Sequence, residues 1–137
     1  MLGCGLTTIV LIIVCGWLAY KILKTPGMRG FVEETLQCRD QLTEIHAALM
    51  RYEASNRVFP AELSDLVPEY LESRAIFHCP SDKSPEDVQS YKYWRPTEDT
   101  PGSTIILSCT HHFLPGGEGM TLSIRKNGRF ANERVRR

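Results

Sequence analysis

A long uncharged stretch stands near the start of the chain. It runs from Leu2 to Tyr20 and centres on the apolar run Ile9–Val14. A helix rises about 1.5 Å per residue, so a helix over this stretch spans roughly 28 Å, close to the hydrocarbon thickness of a bilayer. Trp17 stands near its end, as is typical of residues at the membrane interface. The pattern predicts a transmembrane anchor over residues 1–24 that contacts the lipid bilayer through Leu2–Tyr20.

A cleaved signal peptide is the competing interpretation of this stretch. Such a peptide begins with basic residues, has a shorter apolar core and ends at a small-residue cleavage site. Here no basic residue precedes Lys21. The sequence therefore favours a retained, single-pass anchor in the inner (cytoplasmic) membrane. The basic residues Lys21, Lys24 and Arg29 follow the anchor, and the positive-inside tendency would leave the rest of the chain in the cytoplasm.

The second pattern is that of an amphipathic helix. After a break at Thr25-Pro26-Gly27, helical periodicity runs from Met28 to Ser55. Apolar residues recur on one stripe of this segment: Phe31, Cys38, Leu42, Ile45, Leu49 and Tyr52. One apolar stripe indicates that the helix lies against something, most simply the later strands of the same chain. A coiled coil with a partner is the alternative.

Past the helix, the hydrophobic pattern changes to that of strands. A short helix is predicted over Ala61–Val67. Alternating or aromatic-rich runs predict three strands, over Ser90–Trp94, Thr104–Ser108 and Thr121–Ile124. Asn127-Gly128 predicts a hairpin with a type I′ turn, in which both central residues have positive φ. The predicted fold is α+β: a long N-terminal helix, part transmembrane and part soluble, packed on a small antiparallel sheet, with residues 25–137 as the soluble domain.

The net charge of zero conceals an uneven distribution. Residues 21–29 carry +3, residues 30–124 carry −8 and residues 125–137 carry +5. A general nucleic-acid binder needs a basic excess to displace counterions from phosphates. The acidic central segment therefore argues against a nucleic-acid partner.

A series of short motifs resembles a known family. Tyr52, Asn56 and Pro60 follow one another at four-residue spacing, and Cys79-Pro80-Ser81-Asp82 and Ser90-Tyr91-Lys92-Tyr93 come later. Together they resemble the type II secretion pseudopilins and type IV pilin-like (prepilin-like) proteins of bacteria, over about residues 40–132. The resemblance implies a pilin-like fold and a non-enzymatic structural or accessory role in a secretion or pilus-type system. Other pilin-like subunits or secretion platform proteins would be its partners.

Two departures from that family change the expectation. Prepilins carry a basic leader and then Gly-Phe-Thr-Leu-x-Glu, whereas this chain has no such leader and no carboxylate before Glu33. The sequence therefore predicts a pilin-like domain whose anchor stays unprocessed. The alternative function is a membrane-tethered binding module that keeps the fold but does not enter a filament. The resemblance puts the domain outside the cytoplasm, against the charge rule, and outside is favoured.

Candidate chemistry is confined to cysteine and histidine. Cys79, Cys109, His111 and His112 form the only cluster of metal-competent residue types. Structural zinc sites usually present paired ligands two to four residues apart, and Cys79 stands alone, so no metal and no cofactor are predicted. A Cys79–Cys109 disulfide is possible outside the cytoplasm. Two half-buried free thiols at the ends of neighbouring strands are the alternative.

The remaining cysteines and histidines have ordinary explanations. Cys4 and Cys15 fall in the predicted anchor, and Cys38 falls in the helix stripe, where a free thiol behaves as a small apolar group. His46 is interpreted as a packing or surface residue. Because no nucleophile motif or phosphate-binding loop is recognisable, no catalytic residue is predicted and the protein is not expected to be an enzyme.

Overall fold

The chain folds into two helices followed by one antiparallel sheet. The computed structural model describes residues 3–23, 26–114 and 117–136, with side chains omitted at 3–7, 22–23 and 26. The helices are α1 (Gly3–Leu23) and α2 (Pro26–Asn56), and two short 3₁₀ helices follow at Leu63–Leu66 and Arg74–Phe77. The strands are β1 (Lys92–Tyr93), β2 (Ile105–Phe113), β3 (Glu118–Arg125) and β4 (Phe130–Arg136).

The sheet is a simple meander. Its order is β1-β2-β3-β4, and every neighbouring pair is antiparallel. The three runs predicted as strands each overlap an observed strand, although β2 continues to Phe113 and β3 extends from Glu118 to Arg125. The α+β part of the predicted fold is therefore correct. Its transmembrane part is not.

The stripe on α2 forms one wall of the hydrophobic core. Cys38, Leu42, Ile45 and Leu49 are fully buried. They pack with apolar residues of the sheet, among them Leu107 and Ile124. The prediction that the stripe packs against the chain's own strands is confirmed.

The prediction of a membrane anchor at residues 1–24 is wrong. Crossing a bilayer takes about 20 consecutive, predominantly apolar residues. Within the ranges given above, no helix combines that length with that apolar character. The transmembrane helix and the inner-membrane, single-pass localisation are corrected accordingly. Met1, Leu2 and Lys24 of the predicted anchor lie outside the described residues.

The hairpin at Asn127-Gly128 forms, but its turn type differs from the prediction. Gly128 has φ +80°, whereas Asn127 does not have a positive φ. The backbone N–H of Gly128 donates to the carbonyl of Arg125 at 2.8 Å, and the N–H of Arg125 donates to the carbonyl of Arg129 at 2.9 Å. This pattern belongs to a type I turn followed by a glycine bulge, which places the left-handed residue after the turn and not within it.

Two leucines of α2 offer a matched test of the core. Leu42 is fully buried, whereas Leu36 is 53% exposed on the same helix. Leu42→Ala removes buried apolar volume and leaves a cavity, so we expect it to lower the free energy of unfolding by about 2–5 kcal/mol. Leu36→Ala should change it by less than about 1 kcal/mol. Chemical denaturation measures both, and equal losses would contradict the packing described here.

Candidate metal centre

Three thiols and one imidazole meet between the helix and the sheet. They belong to Cys38, Cys79, Cys109 and His112, and all four residues are fully buried. Their potential ligand atoms, the three sulfurs and a ring nitrogen, all lie within 4.8 Å of one another. Buried polar groups need partners, because removing them from water without compensation is costly. This cluster is therefore the feature of the core that most needs a chemical explanation.

Three separate parts of the chain supply the four side chains. Cys38 comes from the middle of α2, Cys79 follows the second 3₁₀ helix, and Cys109 and His112 both come from β2. In a regular strand, residues three apart point to opposite faces of the sheet. The pairing of β2 with β3 shifts register between Cys109 and His112. This bulge adds one residue to the strand and lets both side chains reach the helix-facing side.

Backbone and side-chain hydrogen bonds fix the segment that carries Cys79. The backbone N–H of Cys79 donates to Ser90 Oγ at 2.9 Å, and Ser90 Oγ donates to Asp82 Oδ2 at 2.6 Å. The N–H of Asp82 donates to the carbonyl of Cys79 at 2.9 Å, which closes a tight turn over Pro80 and Ser81. The Cys79 sulfur is thus held in place by its own loop.

The spacing of the cluster suits a tetrahedral ion. With a Zn–S distance of about 2.3 Å and a Zn–N distance of about 2.05 Å, tetrahedral angles separate sulfur from nitrogen by about 3.6 Å and sulfur from sulfur by about 3.8 Å. Cys79 Sγ lies 3.5 Å from His112 Nε2, which is the first of these separations. The other ligand atoms lie no more than 4.8 Å apart, so a contraction of about 1 Å or less would complete the tetrahedron.

The three thiols perturb one another. Hydrogen bonds with Cys109 and Cys79, together with burial, raise the pKa of the Cys38 thiol above its usual range. Hydrogen bonds with Cys109 and Cys38 lower the pKa of the Cys79 thiol below its usual range against the opposing effect of burial, and the backbone N–H of Ser81 adds to that lowering. For Cys109, the contact with Cys38 lowers the pKa, but the contact with Cys79 and burial raise it to about 12. The three thiols therefore differ in how readily they ionise, because each of them is a hydrogen-bond partner of the other two.

His111 lies beside the cluster and contacts different partners. Its Nδ1 is 3.6 Å from Cys109 Sγ, and its Nε2 is 3.4 Å from Asp82 Oδ2. A cysteine, a histidine and a carboxylate in line resemble the arrangement that activates a nucleophilic thiol. Here the cysteine is fully buried, so a substrate has no access to its sulfur. The arrangement orients Cys109 within the cluster.

The sequence identified three of the four cluster residues and missed one. Cys79, Cys109 and His112 come together, whereas His111 lies at the edge with its ring toward Asp82. The helical position of Cys38 predicts an apolar core residue, and this pattern does not indicate a ligand there. The sequence feature that indicates the cluster is the spacing of Cys109 and His112. Two residues separate them, which is a spacing typical of paired ligands in structural zinc sites.

The possible Cys79–Cys109 disulfide stays a prediction. Both residues are free thiols in the structure, and their sulfurs lie within 4.8 Å of each other. Cys38 lies within the same distance, so each sulfur has two sulfur neighbours. Cys15 is exposed on α1, far in sequence from the cluster. Cys4 lies in the part of α1 whose side chains are outside the described set.

Comparison with known proteins gives no relative: no family model, curated protein or solved structure matches the chain. The pilin-like resemblance therefore stays a prediction from the motifs.

Asp82 offers a test of the loop around the cluster. Burial works against its ionisation, but the hydrogen bonds from Ser90 and Ser84 lower the pKa of its carboxyl to about 2. A carboxyl with a lowered pKa stabilises the fold above its unfolded pKa of about 3.9, and that stability is lost as the pH falls toward 2.

We therefore expect Asp82→Asn to destabilise the metal-free, reduced protein at pH 7, with the difference from wild type shrinking between about pH 4 and pH 2. Denaturant melts at several pH values measure this. Asp87→Asn, at an exposed position of the same loop, is the control. A difference for Asp82→Asn that does not change with pH would argue against the hydrogen-bonded carboxylate.

Proposed function

We propose that this chain is a non-enzymatic structural or interaction module whose α+β domain is held together by a Zn²⁺ ion. Cys38, Cys79, Cys109 and His112 are its ligands. The observation that carries the proposal is the convergence of four buried ligand atoms within 4.8 Å of one another. Three cysteines and one histidine form one of the standard ligand sets of structural zinc sites.

The chemistry of burial supports a bound cation. Three sulfurs and an imidazole in the protein interior gain little from each other as neutral groups. A zinc ion converts the thiols into thiolates and binds them directly, at a position from which water is excluded. Protein side chains fill all four positions of the tetrahedron, as in structural sites, whereas catalytic zinc keeps one position for water or substrate. The closed ligand set supports a structural role for the ion, in keeping with the proposed non-enzymatic function.

Zinc content provides the first test. We expect the purified, reduced protein to hold one zinc ion per chain by elemental analysis, and cobalt substitution to give the intense visible absorption of a tetrahedral thiolate site. Cys38→Ser removes one ligand, so it should lower the affinity for zinc and lower the melting temperature. A strong chelator should destabilise the wild-type protein in the same direction, because metal binding is coupled to folding.

Cys15→Ser is the matched control for this test. Cys15 is an exposed free cysteine on α1, outside the cluster, so its substitution should leave zinc content and melting temperature unchanged. Wild-type protein that takes up no zinc from a buffered solution, or Cys38→Ser protein that binds as tightly as the control, would refute the zinc centre.

A second candidate function concerns α1. Its described side chains include a series of exposed apolar residues: Ile9, Val10, Leu11, Ile12, Ile13, Val14, Trp17 and Leu18. A helix that is apolar on all sides is normally buried against other elements. We propose that α1 packs with the same helix of other pilin-like subunits. This would give the structural or accessory role in a secretion or pilus-type assembly that the motif resemblance implies.

Ile12, 71% exposed, is the position at which to test this packing. Burying a carboxylate among apolar helices is costly, so Ile12→Asp should abolish oligomers in sedimentation analysis while leaving zinc binding intact. Val58→Asp, at an exposed apolar position outside α1, should leave the oligomers intact. A wild-type chain that sediments as a monomer would instead favour the alternative, a binding module that does not enter a filament.

A further inference from the structure

The histidine of the cluster has two nitrogens with different surroundings. Nε2 faces the Cys79 sulfur at 3.5 Å. Nδ1 lies 3.1 Å from Ser81 Oγ and 3.3 Å from Thr35 Oγ1. Whether Nδ1 carries a proton or a lone pair decides which nitrogen can bind a cation, because a neutral imidazole has one of each.

The hydroxyl groups of Ser81 and Thr35 next to Nδ1 both donate their protons to other oxygens. Ser81 Oγ donates to Glu34 Oε2 at 2.7 Å, and Thr35 Oγ1 donates to the carbonyl of Phe31 at 2.6 Å. A hydroxyl has a single proton to donate. Both oxygens can therefore only accept a hydrogen bond from the ring, and Nδ1 must carry the proton. Nε2 of the neutral ring is then left with its lone pair directed at the cysteines.

We propose that Glu34 is a positioning residue for the metal centre and acts through Ser81. By accepting a hydrogen bond from the Ser81 hydroxyl, its carboxylate leaves the serine oxygen as an acceptor for the His112 ring, which holds His112 in the tautomer that binds metal through Nε2. This inference rests on the proposed zinc centre. Metal-binding histidines commonly donate their second N–H to an oxygen, and loss of such a partner typically costs about 10- to 100-fold in metal affinity.

Glu34 and Thr35 both help to keep an acceptor oxygen next to Nδ1 of His112, but only the contribution of Glu34 depends on a contact between two elements. Thr35 bonds a carbonyl one turn earlier on its own helix, so its hydroxyl is fixed by α2 itself. Ser81 depends on a side chain from another element, and without Glu34 its hydroxyl can turn and donate to Nδ1. Glu34 and Ser81 also line a cleft of about 420 Å³, whereas His112 is fully buried. Truncation of Glu34 therefore opens space to solvent and leaves the apolar core unaltered.

Three substitutions on α2 separate hydrogen bonding from charge. Glu34→Ala removes the acceptor, so zinc affinity, measured by competition with a chromophoric chelator, should fall about 10- to 100-fold. Glu34→Gln keeps a carbonyl oxygen that accepts from Ser81, and its affinity should stay close to wild type. Glu33→Ala removes the same charge from the neighbouring, exposed position and should have no effect.

The tautomer gives a readout that does not depend on bound zinc. In nitrogen-15 NMR spectra of the reduced, zinc-free protein at neutral pH, we expect the His112 proton on Nδ1 in wild type and Glu34→Gln. In Glu34→Ala, a population with the proton on Nε2 should appear. If the zinc-free protein is not folded, the difference in zinc affinity between Glu34→Ala and Glu34→Gln tests the positioning role of Glu34.

Two results would overturn the positioning role. The first is a wild-type His112 with its proton on Nε2 alone. The second is a zinc affinity of Glu34→Gln as low as that of Glu34→Ala, which would show that Glu34 acts through its charge and not through the hydrogen bond from Ser81. Failure of the zinc centre itself is a different result: the wild-type protein then takes up no zinc, and the NMR spectra still report the tautomer.

Discussion

The organisation of this domain depends on how three thiols and an imidazole are accommodated between a helix and a sheet. They occupy positions where apolar side chains would otherwise complete the core, and burial makes their polarity costly unless it is satisfied. The proposed zinc ion would satisfy all of them at once. It would also join three parts of the chain that are distant in sequence: α2, the turn after Phe77 and β2. A domain of this size has a small core, and for such domains a metal ion is a common source of additional stability.

Local patterns predicted the parts of the fold that depend on local interactions. The stripe on α2 predicted its buried face because helical periodicity alone decides which residues share a face. Strand positions and the hairpin at Asn127-Gly128 were also predicted, but the turn type was not, since a glycine bulge and a type I′ turn use the same residue pair. The transmembrane prediction, which depends on the apolar run within residues 2–20, is wrong, because no helix among the described residues is both long and apolar enough to cross a membrane.

The cluster of the candidate metal centre could be predicted only in part, because its geometry is not local. Cys38 has the periodicity of a core residue, and nothing in the sequence around it indicates a neighbour 41 positions later, at Cys79. Cys109 and His112 point the same way only because of a bulge, and strand alternation predicts the opposite. The segment Cys79-Pro80-Ser81-Asp82, which is part of the resemblance to pilin-like proteins, supplies a candidate ligand, a partner of His112 and the acceptor for Ser90. The contacts of this segment within the domain therefore account for three of its four residues without reference to an assembly.

The position of Cys38 within α2 has a mechanical consequence. The helix leads from α1 toward the sheet, so a pull exerted on the N-terminal part of the chain travels along α2. Apolar side chains packed against a sheet resist sliding only through many weak contacts. With a metal bound, the helix is also fastened to β2 by coordinate bonds at Cys38, Cys109 and His112. A force along α2 would then be transmitted to β2 through these coordinate bonds, so the helix and the sheet would resist it together.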